Sequence, residues 1–205
     1  MDLEVETMKD LCVIGIETSG LDVVQDEILE IGIVKIDKGR NISGRFSSLV
    51  WPGAGAFSRP VAEKALEVQN RNEKDFICAP LPEEIAKVAL AFIGDWKHTQ
   101  LASYNVRFDR GFLRRKAWER IGNGYPWSVC IMQLCSHIMG RAGSPQCSWS
   151  DFHRPYSWPQ LTDTAQFFGV QFDPTHGHRA LFNAELAARI YLRALNYTSP
   201  EDGPE

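Results

Sequence analysis

The chemistry-bearing residues of this 205-residue chain gather in three short segments. Gly15-Ile16-Glu17-Thr18-Ser19-Gly20-Leu21 puts one acid into an apolar, small-residue run, and Asp26-Glu27-Ile28-Leu29-Glu30 follows it. Tyr104-Asn105-Val106-Arg107-Phe108-Asp109 lies where a strand pattern hands over to a helical one. His178-Arg179-Ala180-Leu181-Phe182-Asn183-Ala184-Glu185 opens the last long periodic stretch. Carboxylates are the ligands that hard, strongly hydrated divalent ions take. An imidazole exchanges a proton near neutrality. Each residue alone has a plainer reading: Glu17 as a solvated strand-end acid, Asp109 as a helix N-cap, Asn183 as a surface amide, His178 as a packing or capping residue.

The elements that must position these groups follow from hydrophobic period. Leu11–Glu17 reads as a buried strand and Ile28–Ile36 as a second, with Ile31 and Ile33 on one face and Gly32, Val34 and Ile36 on the other. Asp37-Lys38-Gly39-Arg40 supplies a turn into a third strand, Ile42–Val50, so an antiparallel meander is predicted. The period then changes. Pro82 opens a helix with Ile85, Val88, Ala89, Phe92 and Trp96 on one stripe. Gln100–Tyr104 is a short strand, and a helix from Asp109 carries Phe112, Leu113, Ala117 and Ile121 before Gly122 and Gly124. Pro126–Met132 reads as a fifth strand, Gly140–Pro159 as a long loop and Leu161–Phe168 as a short helix. The helix Ala180–Leu195 turns Ala180, Ala184, Ala187, Tyr191 and Leu195 inward. A meander followed by alternating helices and strands is an α/β architecture with a mixed sheet. One domain, 1–195, is expected, with an acidic, flexible tail over 196–205.

In order and spacing the three segments resemble the DEDDh family of 3′–5′ exonucleases, which includes the proofreading subunit of bacterial replicative polymerase. The similarity runs from Leu11 to Leu195. The family's motifs are Asp-x-Glu-Thr-x-Gly, Asn-x-x-Phe-Asp and His-x-Ala-x-x-Asp. Glu17, Asp109 and His178 match. Gly15 stands at the first Asp position and Asn183 at the last. The resemblance implies a ribonuclease-H-like fold, a five-stranded mixed sheet flanked by helices, with the motifs converging at one end.

It also implies roles. Glu17 and Asp109 would be metal ligands, with Asn183 a weak one through its neutral carbonyl oxygen. His178 would be the general base, and Glu17, Asp109 and His178 the catalytic set. Thr18, Ser19, Gly20 and Leu21, with Asn105 and Phe108, would hold the terminal nucleotide. Phosphodiester hydrolysis by this route uses two divalent ions about 4 Å apart, Mg²⁺ or Mn²⁺. A unit charge pair at 4 Å is worth about 4 kcal/mol at an effective dielectric of 20. Loss of two carboxylates should therefore weaken metal occupancy by orders of magnitude. Asn183 follows His178 by five residues, about 140° around a helix, so both can face one site only if His178 lies on a non-helical lead-in. Asn183→Asp alone is expected to recover little, and Gly15→Asp with Asn183→Asp to restore the site in a strongly non-additive way, unless a neighbouring backbone packs closely on Gly15.

The expected function is therefore an exonuclease-family protein that binds 3′ ends of single-stranded DNA or RNA, with catalysis weak or lost. Two alternatives stand beside it. One is an active enzyme rebuilt with a displaced carboxylate, for which Asp22, Asp26 and Glu185 are near in sequence. The other is a protein-interaction module without nucleic-acid function.

Composition narrows the field. At 44% hydrophobic and 23% charged the chain is ordinary globular material. A net charge of −4 excludes a bulk positive field, so nucleic-acid binding must rest on a local groove or on bound ions. Met1–Asp10 is acidic, without the basic and apolar regions of a signal peptide, and Ala89–Ile93 is far short of a membrane span. Five cysteines at irregular spacing predict a reducing, cytoplasmic setting. The spacing of Cys130, Cys135 and His137, with Cys147 and His153 beyond, matches no usual zinc knuckle. Trp149, Phe152, Tyr156 and Trp158, beside Arg141 and Arg154, suit either base stacking or cover of a sheet edge.

Overall fold

The computed structural model describes residues 9–148 and 156–197. Five strands form one sheet: β1 (Asp10–Thr18), β2 (Ile28–Ile36), β3 (Ile42–Leu49), β4 (Thr99–Ser103) and β5 (Trp127–Cys130), in the order β3-β2-β1-β4-β5. β1–β2 and β2–β3 pair antiparallel, and β1–β4 and β4–β5 pair parallel, as the meander and the later alternation predict.

Alternation along the central strands sorts side chains between two layers. Leu11 and Val13 of β1 and Val34 and Ile36 of β2 pack under α5 (Ile131–Arg141), α6 (Leu161–Phe167) and α7 (Ala180–Ala194). Cys12, Ile14 and Ile16 with Ile31 and Ile33 pack against α2 (Pro82–Ile93), α3 (Val106–Leu113) and α4 (Glu119–Gly124). The first helix, α1 (Pro60–Val68), is smaller in its burial and packs through Leu66 with Leu29 and Phe76. Gly15 and Glu17 therefore share the α7 face with their register partners, Gly32 and Glu30.

Several expectations are corrected. Helix α3 starts at Val106, not Asp109. Asn105 is the N-cap, its side chain accepting from the Phe108 N–H, so Asp109 sits buried in the first turn. The single helix expected beyond Asp109 breaks into α3, a 3-10 turn at Lys116–Trp118 and α4, and Lys116 adopts φ 50° at the break. β5 ends at Cys130, because Ile131, Met132, Cys135 and Met139 recur at helical spacing and bury one face of α5. That helix takes the first residues assigned to the long loop. Val88 and Trp96 lie exposed rather than inward, as does Leu195 beyond α7. Trp149, Phe152, His153 and Arg154 fall outside the described residues, as does the tail from 198. Tyr156 packs edge-on to His137 at 5.7 Å. No helix among the described residues is long and apolar enough to cross a membrane.

Candidate functional site

The first motif leaves the sheet at the end of β1, where the pairing with β2 shifts register between Glu17 and Thr18. Thr18 Oγ1 donates to the Gly20 carbonyl at 2.5 Å, and the Thr18 carbonyl accepts from Gln69 Nε2 of the residue capping α1 at 2.9 Å. Ser19 is fully buried, its Oγ accepting from the Glu27 N–H at 3.0 Å, so it shapes the loop instead of facing solvent. Leu21 is 80% exposed at the loop's tip.

A cavity of about 520 Å³ opens here. Glu17, Thr18, Gly20, Leu21, Phe108, His178 and Asn183 line it, and α1 adds a wall containing Lys64 and Val68. The three motif segments thus meet at one place. His178 lies before α7 with φ 58° and is exposed, on the non-helical lead-in that its spacing from Asn183 demands. Asn105 does not line the cavity; it caps α3.

Asp109 is buried behind this wall. The parallel pairing of β1 with β4 reaches only Ile14–Ser103, and α3 carries Asp109 against these two strands. Burial pushes the Asp109 carboxyl up to about 7. Burial likewise pushes Glu17 up to about 8, with Glu30 and then Asp109 adding to the effect. Asn183 Nδ2 donates to Glu17 Oε1 at 2.9 Å, and this bond and the Arg179 charge pull the other way.

Glu30 is quoted with the first segment but carries no role in the sequence reading. Its signal was the antiparallel register, which sets it opposite Glu17. Arg71 and Arg179 each approach Glu30 Oε2 to 3.8 Å. The acids proposed as replacements do not reach the site. Asp26 is buried against Arg59 and accepts from the Asp22 N–H. Asp22 caps its own loop through the Val24 N–H, and Glu185 forms a two-bond pair with Arg45.

Gly15 closes the account. A Cβ there would stand 2.7 Å from the Ala180 carbonyl oxygen and 3.2 Å from the Ala184 nitrogen. At its cross-strand partner Gly32 a Cβ would run into the backbone of Leu181 and Ala180. The first turn of α7 has sunk onto this glycine pair, and the alanines at 180, 184, 187 and 188 let it come close. A carboxylate at position 15 therefore has no room. Asn183 turns a donor, not an oxygen, toward Glu17. Two carboxyls are too few to offset the charge of two divalent ions. These residues do not fit the two-ion centre, and among the described residues no group of three His, Cys, Asp or Glu could hold a metal.

Residues 12–191 match the exonuclease family RNase_T, whose members use divalent metals. The PolC-type DNA polymerase III of Caldanaerobacter subterraneus subsp. tengcongensis is 29% identical over 187 residues, covering 91% of this chain and 12% of that protein. The DNA polymerase III epsilon subunit of Aquifex aeolicus is 26% identical over 185 residues, covering 89% and 79%. The chain thus spans a small part of the PolC-type relatives and most of the epsilon subunit. Among solved structures, Exonuclease I from Methylocaldum szegediense superposes with a TM-score of 0.70 at 18% identity, covering 94% of this chain and 41% of that one. Exonuclease X in complex with 5′ overhanging duplex DNA gives 0.58 at 23%, covering 92% and 95%. Sheet order, motif convergence and a match across nearly the whole length agree: the chain belongs to the DEDDh 3′–5′ exonucleases, with the ribonuclease-H-like fold of that family.

Proposed function

We propose that this protein binds the 3′ end of single-stranded DNA or RNA in the cavity beside Glu17 and hydrolyses it weakly or not at all. The observation that carries the reading is the seating of α7 on Gly15, whose absent Cβ would lie 2.7 Å from the Ala180 carbonyl. It takes away the space of a carboxylate as well as the carboxylate. What remains suits binding: Leu21 and Phe108 offer apolar surface to a base. Lys64 adds a charge for a phosphate, and His178 is exposed at the rim. In the solved complex of E. coli Exonuclease I with a dA16 oligonucleotide, a protein of the same fold holds a single strand (TM-score 0.67, 13% identity, covering 93% of this chain and 41% of that one).

Two measurements test this on the purified chain. A labelled single strand should bind in the presence of a chelator, with free 3′ ends preferred over 3′-phosphorylated ones. Release of mononucleotides in millimolar Mg²⁺ or Mn²⁺ should stay at background. Robust ion-dependent release that Glu17→Gln abolishes would mean an intact catalyst. Absence of oligonucleotide binding would favour a protein-interaction module.

A further inference from the structure

Residues 106–120 hold six Lys or Arg and two acids, in a chain whose other residues hold 16 Lys or Arg and 24 acids. The cations of this segment divide by what engages them. Lys116 pairs with Glu27, and Arg115 Nη2 donates to the Val24 carbonyl at 2.8 Å, so both brace the loop that leads out of β1. Arg110 Nε donates to the Gly122 carbonyl at 3.1 Å, and its guanidinium stands 5.9 Å from the Trp127 ring. Arg107 and Arg114 are exposed, as is Arg120 on α4.

Arg107 on α3 and Arg114 at its C-cap are seven residues apart, nearly two turns, so they stand one above the other with Arg110 between them. This face is opposite the buried Asp109, Phe112 and Leu113. Among the described residues none of the three arginines pairs with an acid. Burial and the neighbouring Arg114 charge both lower the Arg110 pKa, a sign of like charges without a counterion. Arg107 also sits in the helix's first turn, where the macrodipole disfavours a cation. A row of cations held against these costs is arranged for an anion from outside.

The row begins next to the cavity. Arg107 precedes Phe108, which lines it, and Gly111 abuts Val23 of the same loop that supplies Gly20 and Leu21. We infer that Arg107, Arg110 and Arg114 form a phosphate track for the nucleotides that precede the 3′ terminus of a bound single strand. The inference rests on the 3′-end reading above and names the surface by which the rest of the strand is held. The ridge is about 10 Å long at 1.5 Å per residue, enough for about three phosphates at the 3.4 Å spacing of a stacked strand.

Salt dependence of binding tests it, because each phosphate contact adds about 0.7 to the slope of log affinity against log salt for single strands. Fluorescent single strands with free or phosphorylated 3′ ends are titrated in chelator at several salt concentrations. The proteins are the native chain, Arg107→Gln/Arg114→Gln, the charge reversal Arg107→Glu, and Lys38→Gln in the β2–β3 turn, with melting curves to confirm folding. The double variant is expected to lose about 1.4 from the slope, Arg107→Glu to bind more weakly still, and Lys38→Gln to match the native chain. Native binding with an unchanged slope in the folded arginine variants overturns the track and leaves the 3′-end reading intact. An arginine-dependent slope without discrimination between 3′ ends supports the track and overturns the 3′-end reading. No binding of either strand overturns both.

Discussion

Asn183 can serve Glu17 whatever the charge on the carboxyl. A carboxamide donates through nitrogen to the ionised form and accepts through oxygen from the protonated one. An ionised aspartate there could accept from the protonated carboxyl but has nothing to donate to the ionised one, and two close carboxylates cannot both ionise cheaply. Asn183→Asp is therefore expected to lower stability by about 1–3 kcal/mol above pH 7, and Mn²⁺ to return part of the loss; melting curves with and without the ion check it. The pH profile carries a second prediction. Glu17 and Asp109 have pKa values raised to about 8 and about 7, so the folded state binds more protons than the unfolded one between about pH 4 and 8. Stability from these groups is complete below their unfolded values and is lost as pH rises through the folded ones, at up to about 1.4 kcal/mol per pH unit for each. Glu17→Gln should lie within about 1 kcal/mol of the native chain at pH 5 and gain on it by about a further 3–4 kcal/mol at pH 8, read from urea unfolding at both values. Identical pH profiles would show that Glu17 is solvated. The sequence named both acids but not their raised pKa values, which depend on Glu30 across the strand pair and on burial.

Packing of α7 on the sheet carries the departure from the family's motifs beyond two substitutions. Gly15 and Gly32 form a shallow trough between neighbouring strands, and the helix's alanines lower it into that trough. Gly15→Ala is expected to cost about 1–3 kcal/mol as an overpacked contact, a drop of about 2–4 °C per kcal/mol for a chain of this size. Gly15→Asp should cost more and fail to restore metal binding even beside Asn183→Asp, unless α7 recedes; calorimetry with Mn²⁺ titration reads both effects. Strands β1 to β3 were legible because each alternates or runs apolar between clear turns. Two helices escaped. In α1 the signal was present, with Pro60 in the first turn and Ala62 and Leu66 four apart, as in the helix that Pro82 opens. In α5 the apolar run Val129–Met132 hides the junction, because strand and helix both tolerate it. The seating of α7 shows in sequence only as glycine at 15 and 32 and alanine at 180 and 184. None of these alone says which backbone comes near.

For the molecule as a whole, stability and ligand binding should be uncoupled from divalent ions. An occupied metal centre stabilises the folded state by RT ln(1 + [L]/Kd), about 2.7 kcal/mol at a hundredfold excess over Kd. In a chain of 205 residues that corresponds to a rise of about 5–10 °C in melting temperature. Here Gly15 has no room for a carboxylate, Asn183 is neutral, and Arg71 and Arg179 already stand beside Glu30. The cationic charge a divalent ion would bring to this end of the sheet is in part built into the chain. Melting temperatures in chelator and in millimolar Mg²⁺ or Mn²⁺ are therefore expected to agree within about 1 °C, well below the 5–10 °C an occupied centre would add. The same pair of conditions should leave oligonucleotide affinity unchanged once ionic strength is matched, since the −4 net charge is offset locally by the arginines of α3. A rise of several degrees in Mn²⁺ would mean that α7 moves to admit ions. That result would return the chain to the catalytic members of its family.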